Sequence, residues 1–192
     1  MEDMFKQIYR YDEDTDEFIL EMALNHFHEL FHEWDASTIR KKDLDPDLVD
    51  FLVEAVTDLP KDANIAILFK LSSSEPDPKL EDIAQNALHN YFDFKIHLSK
   101  RQVNRFLRRA LSYLMIGFSF ILGATLLDQV LDRITFNVLT QGLFIGGWVF
   151  IWESVSLLFF KIRGLRQDHK RYEKIKNATI YFKYQPQENQ LG

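Results

Sequence analysis

Three kinds of hydrophobic pattern follow one another along the chain. The first alternates. In Glu17 to Leu24, EFILEMAL, Phe18, Leu20, Met22 and Leu24 fall on one side and Glu17, Ile19 and Glu21 on the other. A two-residue period is that of a strand. Tyr9 to Tyr11 starts a preceding strand, with the acidic stretch Asp12 to Asp16 as its turn. Asn64 to Leu71, NIAILFKL, reads as another strand, and Thr179 to Tyr184, TIYFKY, as a final one that rejoins the same sheet.

The second pattern is helical. Phe27, Leu30, Phe31 and Trp34 follow helical spacing. Asp45 followed by Pro46 is an N-cap and first-turn pair. It opens a helix to about Leu59 whose buried face is Leu48, Phe51, Leu52, Ala55, Val56 and Leu59, and Pro60 stops it. Asp77 and Pro78 open the next helix in the same way. Its stripe, Leu80, Ala84, Ala87, Tyr91, Phe94 and Leu98, steps by four and three, the repeat of a coiled coil. No breaker follows before Leu127 apart from glycines, so this helix is predicted to run on without interruption. Ile162, Leu165, His169 and Tyr172 mark a later, returning helix.

The third pattern has no polar face. Ala110 to Leu127 holds 18 residues without a charge, and Ile134 to Trp152 holds 19, continued after Glu153 by SVSLLFF. A membrane-spanning helix needs about 20 apolar residues, which puts the second span at about Val138 to Phe160. A soluble chain of this size could not bury two helices that are apolar all round. The expected class is therefore α+β. Residues 1–94 form a small cytoplasmic sheet-and-helix domain, and 95–109 a basic juxtamembrane helix. Transmembrane helices follow at 110–130 and 138–160. Residues 161–192 supply a basic helix and the C-terminal strand that rejoins the domain. The two-helix hairpin is thus inserted before the last strand. A core built from both ends of the chain implies rigid coupling between domain and membrane rather than a loose tether.

Charge sharpens this picture. Residues 1–94 carry 8 Lys/Arg against 23 Asp/Glu, a net of −15, while residues 95–192 carry 15 against 6, a net of +9. The basic residues flank the apolar runs. Arg105, Arg108 and Arg109 precede the first, and Lys161, Arg163 and Arg166 follow the second. The connecting loop holds only Arg133, beside Asp128 and Asp132. By the positive-inside bias both termini face the cytoplasm, in the cell's inner (plasma) membrane. Anionic headgroups account for the basic flanks. Aromatic residues for base stacking are sparse there, so no nucleic-acid partner is expected. The chain has no cysteine, which removes disulfides, thiolate metal sites and cysteine catalysis. The acidic N-terminal stretch lacks the apolar core of a cleavable signal peptide.

Within the spans, Gly142 and Gly146 make a GxxxG pair joined by Gly147, and Ser119 and Gly123 make a second small-residue pair. Small residues let helix backbones approach closely, either closing the hairpin or joining subunits. Glu153 lies eight positions before Lys161, roughly 12 Å deep by helical rise. An ionisable group at that depth faces protein or water. Its partner is expected to be Arg108, Arg109 or a neighbouring subunit, with an ion path as the alternative.

His28-Glu29-Leu30-Phe31-His32 matches HExxH. On an α-helix that spacing puts two zinc-ligating imidazoles on one face and leaves the glutamate as general base. His26 and Glu33 add further ligand types nearby, but the stripe Phe27, Leu30, Phe31 and Trp34 is the face this helix buries. His28 and His32 are then solvated. The expectation is no resident cofactor, with surface zinc at His28 and His32 as the alternative. Arg163 and His169 have the Arg-x5-His spacing of HEPN-type ribonucleases. Their basic flank is already accounted for by the membrane surface. There is no Walker, GxGxxG or GxSxG motif.

RKKDLDPD (Arg40 to Asp47) and GGWVFIWE (Gly146 to Glu153) resemble segments of a family of uncharacterised bacterial membrane proteins. The resemblance extends over most of the chain, from Glu17 to Ile180. It implies a cytoplasmic domain followed by a two-helix transmembrane hairpin, and supplies no activity, cofactor or catalytic residue. The functional expectation is a non-enzymatic, homo-oligomeric scaffold or signal-coupling module in the bilayer, with a cytoplasmic domain that binds a protein partner. A pore-forming or membrane-disrupting effector is the first alternative. A zinc metalloprotease built on HExxH is the second.

Overall fold

The computed structural model describes residues 2–31, 44–72, 76–130 and 135–185. In chain order the elements are α1 (Glu2–Ile8), β1 (Arg10–Asp12), β2 (Glu17–Leu24), a short 3₁₀ helix (Phe27–Leu30), α2 (Pro46–Asp58) and β3 (Asn64–Leu71). They continue with α3 (Pro78–Val130), α4 (Thr135–Ser156), a π-helical turn (Leu157–Lys161), α5 (Ile162–Lys176) and β4 (Thr179–Tyr184). The chain divides into two compact units, one of residues 1–96 with 170–192 and one of residues 97–169.

The first unit is a four-stranded mixed sheet in the order β1-β2-β3-β4. β1 is antiparallel to β2, while β2 with β3 and β3 with β4 are parallel. Parallel neighbours need crossovers. α2 makes the first, and the whole stretch from α3 to α5 makes the second. The predicted alternation holds. Phe18, Leu20, Ile65, Ile67 and Phe69 turn one face of the sheet to Leu52, Ala55 and Val56 of α2, Ala84, Leu88 and Phe92 of α3, and Ile175 of α5. Ile180 and Phe182 of β4 pack on the edge of this core. The last strand therefore belongs to the sheet begun near the N-terminus. On the opposite face Ile19, Ala66 and Leu68 are buried together, and Glu21 accepts from Arg10 at 2.9 Å and pairs with Lys70. The Lys70 bond holds the Glu21 carboxyl below its usual range.

Both predicted helix starts are present. The Asp45 carboxylate accepts the N–H groups of Asp47 and Leu48, and that of Asp77 those of Lys79 and Leu80. Two buried faces differ from expectation. On α2, Phe51 is 40% exposed and Val49 is buried. On α3 the docked residues are Ala84, Leu88, Phe92 and Ile96, whereas Phe94 and Leu98 are exposed. The stripe is rotated by about one residue because the helix lies on a sheet and presents every fourth side chain to it. A four-and-three step serves a partner helix. α1 had no signature in the sequence pattern.

β4 is tied to the start of α3. The Tyr184 hydroxyl donates to the Glu81 carboxylate at 2.5 Å and accepts the Asp77 N–H at 3.4 Å. Burial, then the Glu81 bond, push its pKa up to about 12. Lys174 of α5 donates to the Pro60 carbonyl at 3.0 Å, and burial lowers its pKa.

Candidate functional site

The second unit is an antiparallel pair of helices. Its apolar parts belong to the two helices in the chain that are long and apolar enough to cross a membrane, among the described residues. Two side chains fix the register. The Ser154 hydroxyl donates to the Ala110 carbonyl at 2.8 Å, and that of Ser99 to the Leu165 carbonyl at 3.1 Å. From Ser99 to Ala110 and from Ser154 to Leu165 the chain advances by the same number of residues, so one register runs the length of the pair.

Between those points and beyond, small residues recur every seventh position. On α3 they are Ala110, Gly117 and Ala124, and on α4 Thr140, Gly147 and Ser154. Ala110, Ala124 and Ser154 are each 1% exposed. At the centre the two backbones meet. A Cβ on Gly117 would lie 2.8 Å from the Gly147 carbonyl oxygen, and one on Gly147 2.9 Å from that of Gly117. No side chain fits there. A seven-residue repeat is the period that keeps one seam facing a partner helix.

The small residues singled out from sequence fare unevenly. Gly147 is in the seam. Gly146 lies on its flank, where a Cβ would approach the Phe120 ring at 3.3 Å. Gly142 and Gly123 have nothing within 4 Å. Ser119 is exposed, and its hydroxyl donates to Met115 in its own helix at 2.8 Å. Within the chain, then, the GxxxG pair does not close the hairpin. Gly117, Ala110, Ala124, Thr140 and Ser154 do, and all five were missed. Their signal was the spacing of seven, hidden behind the more familiar spacing of four.

The register also relocates Glu153. Its neighbour Ser154 faces Ala110, so Glu153 stands level with Leu111, the first residues of the apolar run on α3. Counting along its own helix to Lys161 had placed it far deeper than its distance from Arg109 does. Glu153 is exposed and makes no hydrogen bond or ion pair among the described residues. Neither Arg108 nor Arg109 pairs with it. Arg109 donates through Nε to the Tyr113 hydroxyl at 3.1 Å. Arg105, Arg108, Arg109, Lys161, Arg163 and Arg166 are all exposed. All six lie on one side of the Ala110–Ser154 level. On the other side the charged residues among those described are Glu153 and, near the far end of α3, Asp128, and neither is basic.

The HExxH reading requires one α-helix through His28 and His32, and the chain does not form it. The 3₁₀ helix ends at Leu30, and Phe31 is already extended, with φ −116° and ψ 149°. Phe31 then bridges to Leu44. His32 and Glu33 lie outside the described residues. What does converge is His26, His28 and Glu29, whose potential ligand atoms lie within 4.8 Å of one another. Both histidines are exposed. Glu29 accepts the Asn25 N–H at 3.0 Å, and that bond holds its carboxyl below the usual range. Metal–ligand bonds of about 2 Å put neighbouring donors only roughly 3 Å apart. Glu29 also staples the turn through its bond to Asn25. Comparison of the chain with protein families, with curated proteins and with solved structures finds no match.

Proposed function

We propose that the chain is an integral membrane protein whose hairpin, α3 with α4, crosses the bilayer twice, and whose sheet domain and both termini lie in the cytoplasm. In this reading it is an oligomeric scaffold or signal-coupling module. The acidic sheet domain would engage a cytoplasmic protein partner.

The observation that carries the reading is where the apolar surface points. The most apolar window of each long helix is only 17% buried within the chain, so neither is the core helix of a soluble fold. Their seam is made of small residues, and the large ones face outward. Leu111, Met115, Phe118 and Leu122 on α3 and Ile145, Val149 and Trp152 on α4 are all more than half exposed. A water-soluble monomer rarely leaves so large a contiguous apolar surface bare. Among the described residues of the two helices, the basic ones all lie on one side of the Ala110–Ser154 level, which supports the orientation.

The test is fractionation with alkaline extraction, followed by reporter fusions after Gly192 and within residues 128–137. The expected result is retention in the membrane, with a cytoplasmic reporter at the C-terminus and an external one in the loop. Release by alkali, or a cytoplasmic signal from the loop, would sink the reading.

A further inference from the structure

We propose that Glu153 pairs with Arg108 of a second copy of this chain, so that two hairpins associate side by side. The inference rests on the membrane reading above and names the partner of its oligomeric surface.

Glu153 lies on the outside of the hairpin among exposed apolar neighbours, with Trp152 65% and Val149 61% exposed. A carboxylate there must find a cation, find water, or take up a proton. The cations of its own chain are out of line. Ser154 and Ala110 touch, and Arg108, two residues before Ala110, sits about 200° round the helix from the seam. It points away from α4. Arg108 is exposed and has no ion-pair or side-chain hydrogen-bond partner among the described residues. Arg109 next to it is held by Tyr113. One chain therefore carries an unpaired anion and an unpaired cation on different flanks of the same hairpin.

Their levels match. Glu153 stands opposite Leu111, three residues from Arg108, or about 4.5 Å along the axis. Two extended side chains span that offset. Copies inserted with the same topology share every depth, so the pair forms between copies without axial displacement. Because the two groups lie on different flanks, the contact is heterologous: Glu153 on α4 of one copy meets Arg108 on α3 of the next, with those two helices antiparallel. The same flank of α4 carries Gly142 and Gly146, eleven and seven residues before Glu153 and so within about 20° of it around the helix. Gly142 has nothing within 4 Å, which leaves its backbone open to a partner helix.

The experiment uses the full chain in phosphatidylcholine vesicles, with association followed by energy transfer between two labelled populations. With no native cysteine, one introduced near Gly192 carries the label. E153R and R108E are compared singly and together. Each single reversal should lower the association constant about tenfold or more, and the double reversal should restore it to within roughly threefold. E153Q and R108Q, each weakening association by about threefold, serve where a reversal fails to fold. Single variants that associate like the parent would show that both side chains merely reach for the headgroups, and the pairing is then wrong. A double reversal no better than the single ones refutes it equally. Flotation of every variant with the vesicles is scored in parallel. Chains that do not float remove the membrane reading itself, whereas chains that float without the expected pattern remove only the pair.

Discussion

Replacing Gly117 by alanine tests the seam more sharply than any other single change. The new Cβ would stand 2.8 Å from the Gly147 carbonyl oxygen and 2.8 Å from the Ile151 side chain. The oxygen belongs to backbone and cannot turn aside. Ordinary contact needs about 3.4 Å, so the helices must part by roughly 0.6 Å, and a gap of that size forfeits a quarter or more of the dispersion attraction along the seam. Overpacking of this kind costs about 1–3 kcal/mol. Gly142→Ala is the control. Nothing lies within 4 Å of its new Cβ, and alanine favours a helix over glycine by up to about 1 kcal/mol. The two substitutions add the same methyl group, yet they should differ by roughly 2 kcal/mol or more. The assay is reversible unfolding in mixed micelles at a dilution where the chain is monomeric. Gly147→Ala should match Gly117→Ala, and the double variant should cost less than the two combined, because one separation relieves both clashes. Equal stability of the Gly117 and Gly142 variants, or greater damage at Gly142, would refute the seam.

Three further outcomes follow from the same geometry. Ser154→Ala removes the bond to the Ala110 carbonyl and should cost about 0.6–1.7 kcal/mol in the same micelle assay, the range for polar contacts between membrane helices. Tyr184→Phe should weaken the sheet domain below pH 10, because the raised pKa marks a proton held more tightly in the folded state. The parent's advantage should shrink as pH climbs from 10 towards about 12, as followed by denaturation across that range. His26→Ala with His28→Ala should leave the domain's thermal midpoint unchanged and its metal content non-stoichiometric by elemental analysis. Zinc bound one-to-one and lost in the double variant would contradict the open geometry of that turn.

What the sequence made legible was whatever depends on local period and local caps. The strand alternation of Glu17 to Leu24, the Asp–Pro helix starts and the unbroken run into α3 each need only neighbours in the chain. Val49 and Phe51 were exchanged because a buried face is fixed by what it meets, and the period alone leaves about one residue of rotation free. His28 illustrates a different limit. HExxH describes a face only if the backbone is an α-helix throughout, and one extended residue at Phe31 dissolves it. The seam was hidden for a third reason. Gly117 and Gly147 are far apart in sequence, and their meaning appears only when the register aligns them. Read along one helix, Gly142 and Gly146 look the stronger pair.

The register also makes the intermolecular pair independent of where the bilayer boundary falls. If it falls at the Ala110–Ser154 level, the apolar stretch from Leu111 to Leu127 spans about 25 Å by helical rise, slightly short of a typical 30 Å hydrocarbon core. Glu153 and Arg108 then sit together at the interface. A boundary drawn past the exposed Phe159 and Phe160 falls where the register sets them, beside Arg105 and Asn104. The band then lengthens by about 9 Å on that side. Arg105, Arg108 and Arg109 must in that case carry their charges outward along their stems, and Glu153 moves inward by the same amount as Arg108. In both placements the offset between anion and cation stays three residues, because it is set by the Ser154–Ala110 contact and not by the lipid. A thicker bilayer buries both groups further and raises the cost of leaving either unpaired. Association of the parent should therefore strengthen from short-chain to long-chain phosphatidylcholine, whereas the single reversals, with like charges facing each other, should show no such gain.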